Sequence, residues 1–552
     1  MTLHSWLRRR ESGFPVRFGD ADAVHRAIYY SLEPKKSWND PPNACNSCEY
    51  GGAYNLEFSP DGTILVAACE KKTIVLFDPI TEKQMCTIKN AHSDSVNCVK
   101  FLDNRMFATC SDDSTVALWD TRNLKSKIRS LQGHSNWVKN IEYCKKDCLL
   151  VTSGFDGSIF TWDINSYTEQ GFVYQKVFHT PGLMRCRLAP DENRLVICTT
   201  GGYLIIIHNL NLASLAKDLR GFRPNLYRLM QLRHQFIPNA ARYDQAFSRK
   251  QKYNRVELVS DFPEGNDAEV ISSLQIHPQG WCALSRNISY DESSEWSCVH
   301  DIQEISLDGD LDSDSEDDIS KSEAAEQNQD TSTAGEGGGG EAPEEEAPED
   351  NISPATVAAA AIVNAAVGEP AQPSLIGPHN INNNNQEFHA PSSDIWAAEV
   401  SLRNRNLRVE NTRSLNMANV YGITSGLIPL TPAEHQAKFE QTITVNVNRM
   451  LYYVEEPNKG KGFIKEPCFS ADGRVICSPH GYGIRLLAFN EHCNELPFIA
   501  GNREGCVPKP FHEIKTKHCH SDVVISSKFS PKFPLLVSGC LRGKIVWHQP
   551  VL

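Results

Sequence analysis

Two sets of residues in this 552-residue chain have the side-chain types of hydrolytic chemistry. His92, Thr109, Asp113 and Trp119 form one, and His134, Ser153, Asp156 and Trp162 form the other. A hydroxyl, an imidazole and a carboxylate can serve as nucleophile, base and orienting group. Here the set appears twice at nearly the same spacing, each time with a Trp whose N–H is a further donor. That recurrence points to a structural device, a buried hydrogen-bond network tying a turn to its neighbouring strands. No catalytic residue is expected, and the chain reads as a protein that is not an enzyme.

The metal-like and phosphate-like patterns are incomplete. Cys45 and Cys48 make one pair without a second, whereas structural zinc wants four ligands. His518-Cys519-His520 alternates faces on a strand, so its two imidazoles converge only with help from elsewhere. Asp308, Asp310 and Asp312 imitate a calcium loop, but Ser313 stands where the Gly belongs and Ile319 where the bidentate Glu belongs. Gly337–Gly340 is followed by Glu341 rather than by the Gly-Lys-Ser/Thr of a phosphate loop. No metal and no other cofactor is expected.

The elements that must position the two His–Trp sets are strands. His92 and His134 lie 42 residues apart, and each precedes a Trp-Asp pair by 27 or 28 residues. Between them apolar residues alternate with period two, as at Val96, Cys98, Val99 and Phe101. This is the period of a WD-repeat blade of four antiparallel strands. Weaker copies open near Asn55, Arg185, Ile271, Ile464 and Val524, which makes seven in all. The fold class is therefore all-β, a seven-bladed β-propeller at roughly 45 residues per blade. The last copy runs only to Lys544–His548 before the sequence ends, so a segment between about Ala27 and Tyr50 is expected to supply its fourth strand and close the ring, which would otherwise keep an unpaired edge.

Blades one to four are placed at 50–212, blade five at 268–305 and blades six and seven at 441–552, behind an N-terminal region of 1–49. Residues 213–267 read as a basic insert. Within it, Lys217–Arg255 carries ten Lys or Arg against two Asp, interleaved with Phe222, Tyr227, Phe236, Tyr243, Phe247 and Tyr253. Such a segment could hold single-stranded RNA by phosphate pairing and stacking, although a solvated loop or a contact with the chain's own acidic segment fits as well. Residues 306–440 read as an acidic, low-complexity, disordered insert, with seventeen Asp or Glu against one Lys between Ser306 and Asp350. Ser313 and Ser315 lie among those acids as candidate phosphorylation sites.

The net charge of -13 belongs to that one segment. Eighteen singly scattered Cys suggest a reducing compartment, nucleus or cytoplasm. The first residues lack the continuous apolar stretch of a secretory signal, although an Arg-rich, acid-poor start is also a feature of mitochondrial presequences. The longest apolar run, Ala355–Val367, is too short for a membrane span.

Two short amphipathic helices are expected ahead of the ring. One starts from Thr2 as cap, carries Leu3, Trp6 and Leu7 on one face and stops at Gly13; the other starts near Asp22, with Val24, Ala27, Ile28 and Leu32 on one stripe, and ends at Pro34. Residues Phe107–Arg122 resemble the sixteen-residue box of the DDB/cullin-four-associated factor (DCAF) family of WD-repeat substrate receptors. The phrases Asn55–Gly62, Phe101–Asp113, Trp137–Tyr143, Val151–Gly157, Ser478–Leu487 and Ser538–Leu541 are similar to the same family. The resemblance implies a substrate receptor of a cullin-RING ubiquitin ligase. It implies that Arg122, three residues after Trp119, meets the damaged-DNA-binding adaptor at the rim. It also implies that Leu3, Trp6, Leu7, Val24 and Ile28 enter that adaptor's cleft. Arg suits such a contact, because its flat fork of donors pairs with carboxylates or carbonyls while its stem covers apolar surface. In blade three Asn165 stands at the corresponding position. The protein substrate is unknown, and the alternative function is a WD-repeat or RNA-associated scaffold unconnected with a ligase.

Overall fold

A computed structural model describes residues 3–15, 19–39, 49–168, 171–243, 254–263, 268–289, 292–304, 448–494 and 507–551. The candidate phosphorylation sites Ser313 and Ser315, the Cys45–Cys48 pair, the acidic segment and the proposed cap Thr2 lie outside these residues. Among the described residues no helix is long and apolar enough to cross a membrane.

Seven sheets form around the repeats, each with four antiparallel strands, and Lys509–Pro510 adds a short parallel fifth strand to one of them. Blade two is typical, with strands Val96–Phe101, Met106–Ser111, Thr115–Asp120 and Arg129–Gln132 in that spatial order. Its inner three strands are buried on both faces, because each sheet packs between two neighbours. Val99, Phe107 and Trp119 join the apolar layer toward blade one, while Cys98, Cys110 and Leu118 join the layer toward blade three. This two-sided burial explains why the strands are nearly continuous in Val, Ile, Leu, Phe and Cys.

The ring closes through the N-terminal region. Leu32–Trp38 pairs antiparallel with Ile545–Pro550 and becomes the outer strand of blade seven. The helix before it spans Asp20–Tyr30 and stops earlier than the expected end at Pro34. Pro34 lies instead inside the closing strand, opposite His548 and beside a register shift. An outer strand can take a proline there because that residue's missing N–H costs no inner ladder bond.

Two boundaries differ from the sequence reading. The 213–267 region is part of blade four: its outer strand is Arg255–Val259, paired with Leu204–His208, and the intervening chain folds into short helices. These are Leu212–Asp218, Pro224–Arg233 and Pro238–Ala241, the first capped by the Asn211 side chain. Phe222, Tyr227 and Tyr243 are buried with Leu212, Leu215 and Met230 against the blade. Three of the aromatic side chains that an RNA-stacking platform needs are therefore spent in the core. Likewise the outer strand of blade five is Met450–Pro457, beyond the acidic segment, rather than part of blade six.

Equivalent inner-strand residues of neighbouring blades pair around the axis, where Glu57, Lys100, Glu142, Arg187 and Lys528 line one polar cavity. Lys100 of blade two pairs with Glu142 of blade three at 2.9 Å, and Glu142 pairs in turn with Arg187 of blade four. Glu57 of blade one pairs with Lys528 of blade seven at 2.6 Å. Burial alone would push Glu142 up, but Lys100 and Arg187 outweigh it and hold the carboxyl below its ordinary value.

Candidate partner-docking face

The buried networks come first because they set where the rim residues stand. In blade two the Trp119 indole N–H donates to Thr109 Oγ1 at 2.9 Å, and the same oxygen lies 2.8 Å from His92 Nε2. His92 Nδ1 lies 3.0 Å from Asp113, which also accepts the Ser93 N–H. One direction of donation satisfies every member: indole to hydroxyl, hydroxyl to imidazole, imidazole to carboxylate. Burial raises Asp113, yet the bonds from His92, Ser93 and Thr115 hold it well below the usual carboxylate range.

Blade three repeats the chain with one correction. The hydroxyl that joins Trp162 to His134 belongs to Thr152, at 2.8 Å from each, and not to Ser153. Adjacent strand residues point to opposite faces, so Ser153 looks toward Cys186 on the blade-four side while Thr152 faces the His. The Asp156 carboxylate completes the set at 2.9 Å from His134 Nδ1. A nucleophile built from Ser153, His134 and Asp156 is therefore ruled out by geometry.

Blade seven carries a variant that sequence reading missed. His520 Nε2 and His548 Nε2 both approach Ser538 Oγ, at 2.7 and 2.8 Å. The spacings of 18 residues from His to hydroxyl and 10 from hydroxyl to the next ring match those of blade three. His548 thus stands where Trp162 stands, a substitution hidden by Trp547 next to it. Cys519 joins this group, while His518 of the same tripeptide sits beside His480 on blade six.

In an antiparallel meander the turn between the first two strands and the turn between the last two lie at one end. On blade two these turns hold Arg105, and Arg122 just past Asp120. Arg105 binds the Asp120 carboxylate through Nε and Nη2 at 3.0 and 2.8 Å, and the Arg122 guanidinium reaches the same carboxylate only at 3.5 Å while its backbone N–H donates to it at 3.0 Å. With 65 % of its side chain exposed, Arg122 is the freer of the two cations at this rim.

The same end of blades six and seven carries the helix Asp20–Tyr30. The Tyr29 hydroxyl donates to Asp472 at 2.6 Å, and His25 Nδ1 lies 2.7 Å from the same carboxylate. Arg474 pairs with Asp22, and Ile28 lines a groove with Phe529, Pro531 and Phe533 of blade seven. Leu32, placed by sequence reading on the helix stripe, is buried in the ring. Val24 and Ile28 are half-buried, with Ile28 turned toward the protein's own blade. The preceding helix, Leu3–Glu11, ends with Arg8, Arg9 and Arg10 and a left-handed Gly13. Trp6 is half-buried, whereas Leu7 and the following Phe14 are exposed. One end of the ring thus presents an anchored helix, an apolar and basic helix before it, and an exposed rim Arg.

Comparison with known proteins bears on this face. The WD domain, G-beta repeat family (WD40) matches residues 45–78, 83–120 and 125–163. The chain is 33 % identical to DDB1- and CUL4-associated factor 10 of Danio rerio over 574 residues, covering 100 % of this chain and 84 % of the relative. The chain belongs to the DDB1- and CUL4-associated factor 10 family. To the Homo sapiens protein of the same name it is 31 % identical, across 99 % of this chain and 78 % of that one. The Xenopus laevis protein is 32 % identical across 99 % and 94 %. Family membership thus extends beyond the three matched repeats to blades four to seven and the N-terminal helices.

Proposed function

We propose that this protein is the substrate-recognition subunit of a cullin-four RING ubiquitin ligase, bridging the damaged-DNA-binding adaptor and a protein substrate. The observation that carries this reading is the placement of Arg122 and the anchored N-terminal helices at the same end of the ring, in a chain whose relatives are named for association with DDB1 and CUL4. In this reading Leu3, Trp6 and Leu7 enter the adaptor, the helix Asp20–Tyr30 with Val24 and Ile28 fixes their approach, and Arg122 pairs at the rim. The chain itself is non-catalytic, and the assembled ligase performs ubiquitin transfer. Its compartment is the nucleus, the cytoplasm or both.

Affinity capture from cells tests this. The intact protein recovers the adaptor, and deletion of Met1–Gly13 reduces recovery while leaving thermal unfolding almost unchanged. Recovery of the intact, folded protein without adaptor overturns the reading and favours a scaffold outside any ligase.

A further inference from the structure

The blade-seven network departs from those of blades two and three in a way that leaves a lone pair to spare. Asp113 and Asp156 each stand four residues after the bridging Thr and accept from the His Nδ1–H. Four residues after Ser538 stands Arg542, a side chain with no acceptor. The Nδ1 of His520 is accordingly buried with no hydrogen-bond partner. The indole that donates in the other blades is replaced by an imidazole, so two ring nitrogens now converge on one hydroxyl, which donates to one ring and accepts the N–H of the other, leaving His520 Nδ1 as the atom without a partner.

Beside them lies Cys519, whose Sγ is 4.0 Å from His548 Nε2. One ligand atom from each of Cys519, His520 and His548 falls within 4.8 Å of the other two. In a structural fourfold polar network these replacements leave unsatisfied groups; as a set of donors they make chemical sense. A thiolate and two imidazoles are the ligand types of zinc, and bonds of about 2.0–2.3 Å imply ligand separations of roughly 3.3–3.7 Å. The Cys519–His548 pair needs to close by only a few tenths of an ångström, and the widest pair by about 1 Å, within reach of side-chain torsions. Cys519 is half-buried and offers the way in.

We propose that Cys519, His520 and His548 form a Zn2+ site, with water as the fourth ligand. On binding, the Cys519 thiol gives its proton to solvent and the thiolate sulfur takes a coordination position. The ligands come from two places in the closing blade. Cys519 and His520 precede its first strand, Val524–Phe529, and His548 lies on Ile545–Pro550, which pairs with the N-terminal strand Leu32–Trp38. The ion therefore staples the blade through which the ring is closed, and binding only to the folded state raises stability by linkage.

The test uses the full-length protein and Zn2+ itself, in competition with a chromophoric chelator, with Co2+ as a spectroscopic probe of sulfur ligation. The expected result is one equivalent of Zn2+ held, a melting temperature raised by Zn2+ and lowered by chelator, and a thiolate-to-cobalt charge-transfer band. Cys519→Ser abolishes that band and weakens Zn2+ binding at least tenfold, while its melting temperature in chelator stays near that of the parent. His548→Gln also weakens binding at least tenfold. Failure of the parent to hold Zn2+ overturns the site, as does Zn2+ held equally well by both variants, which places the ion elsewhere on the chain.

Discussion

Thr152 Oγ1 accepts the Trp162 indole N–H at 2.8 Å while lying 2.8 Å from His134 Nε2, so one buried hydroxyl joins two strands and a turn of blade three. Removing it leaves an indole N–H and a ring nitrogen without partners in the interior. Thr152→Val is expected to destabilise the ring by about 2–3 kcal/mol, whereas Ser153→Ala, on the other face, costs less than about 1 kcal/mol. Denaturant unfolding of the two variants separates these positions, and equal losses contradict the assignment.

The closing strand predicts a second effect. Deleting Leu32–Trp38 strips the ladder partners from Ile545–Pro550 and leaves an apolar edge open to other chains. Light scattering should show the deletion variant associating at concentrations where the parent remains dispersed. A monodisperse deletion variant with parental melting would show that the ring holds without this strand.

At Asp472 three contacts converge, from His25, Tyr29 and Ser470. Burial raises this carboxyl and those bonds more than offset it, holding Asp472 well below the usual range. Asp472→Ala should loosen Asp20–Tyr30 without opening the ring. Hydrogen exchange is expected to rise at least tenfold across that helix and to stay near parental values in blades two and three. Unchanged exchange in the helix would mean that its apolar contacts alone hold it.

Acid sensitivity follows from the junction of blades four and five. Arg449, buried at the start of the outer strand of blade five, donates to Glu257 of blade four at 2.7 Å, and His208 Nε2 lies 3.0 Å from the same side chain. Burial raises Glu257, but His208 and Arg449 prevail and bring it down to about 2. Unfolded Glu takes up a proton near 4.5, so between 4.5 and 2 the unfolded state binds more protons and stability falls with pH. His208, held below its ordinary value by burial, contributes loss of the same sign that begins as pH drops through 6.5. Glu257→Gln should be less stable at pH 7 and lose less on going from 4.5 toward 2. Melting curves recorded across that range check this, and parallel declines would contradict it.

Much of the ring was legible because blades repeat. The His-to-Trp spacing and the period-two apolar pattern locate seven inner strands, and the ring-closing requirement points to the segment that became Leu32–Trp38. The outer strands of blades four and five were obscured for a different reason. Arg255–Val259 and Met450–Pro457 each follow a long excursion, so periodicity is broken just where the fourth strand is due. Thr152 and Ser153 are neighbours of similar chemistry, and only strand phase decides which one faces His134. His548 was masked by Trp547, whose type matches the repeat but whose register does not: in blade three Trp162 lies opposite Leu150, and in blade seven His548 lies opposite Leu536. Residue type is visible in a sequence, while side-chain direction depends on the ladder that strands form.

The central claim is most directly tested by titrating the purified adaptor against the full-length protein and its Arg122→Asp variant. The Arg122 guanidinium reaches Asp120 only at 3.5 Å, and the 3.0 Å bond from its backbone N–H to Asp120 survives the substitution, so the change should leave unfolding almost unaltered. The expected outcome is tight binding by the parent and binding weakened about tenfold or more in the variant, a loss of at least about 1.4 kcal/mol. Equal affinities, or no binding by the folded parent, would contradict the account.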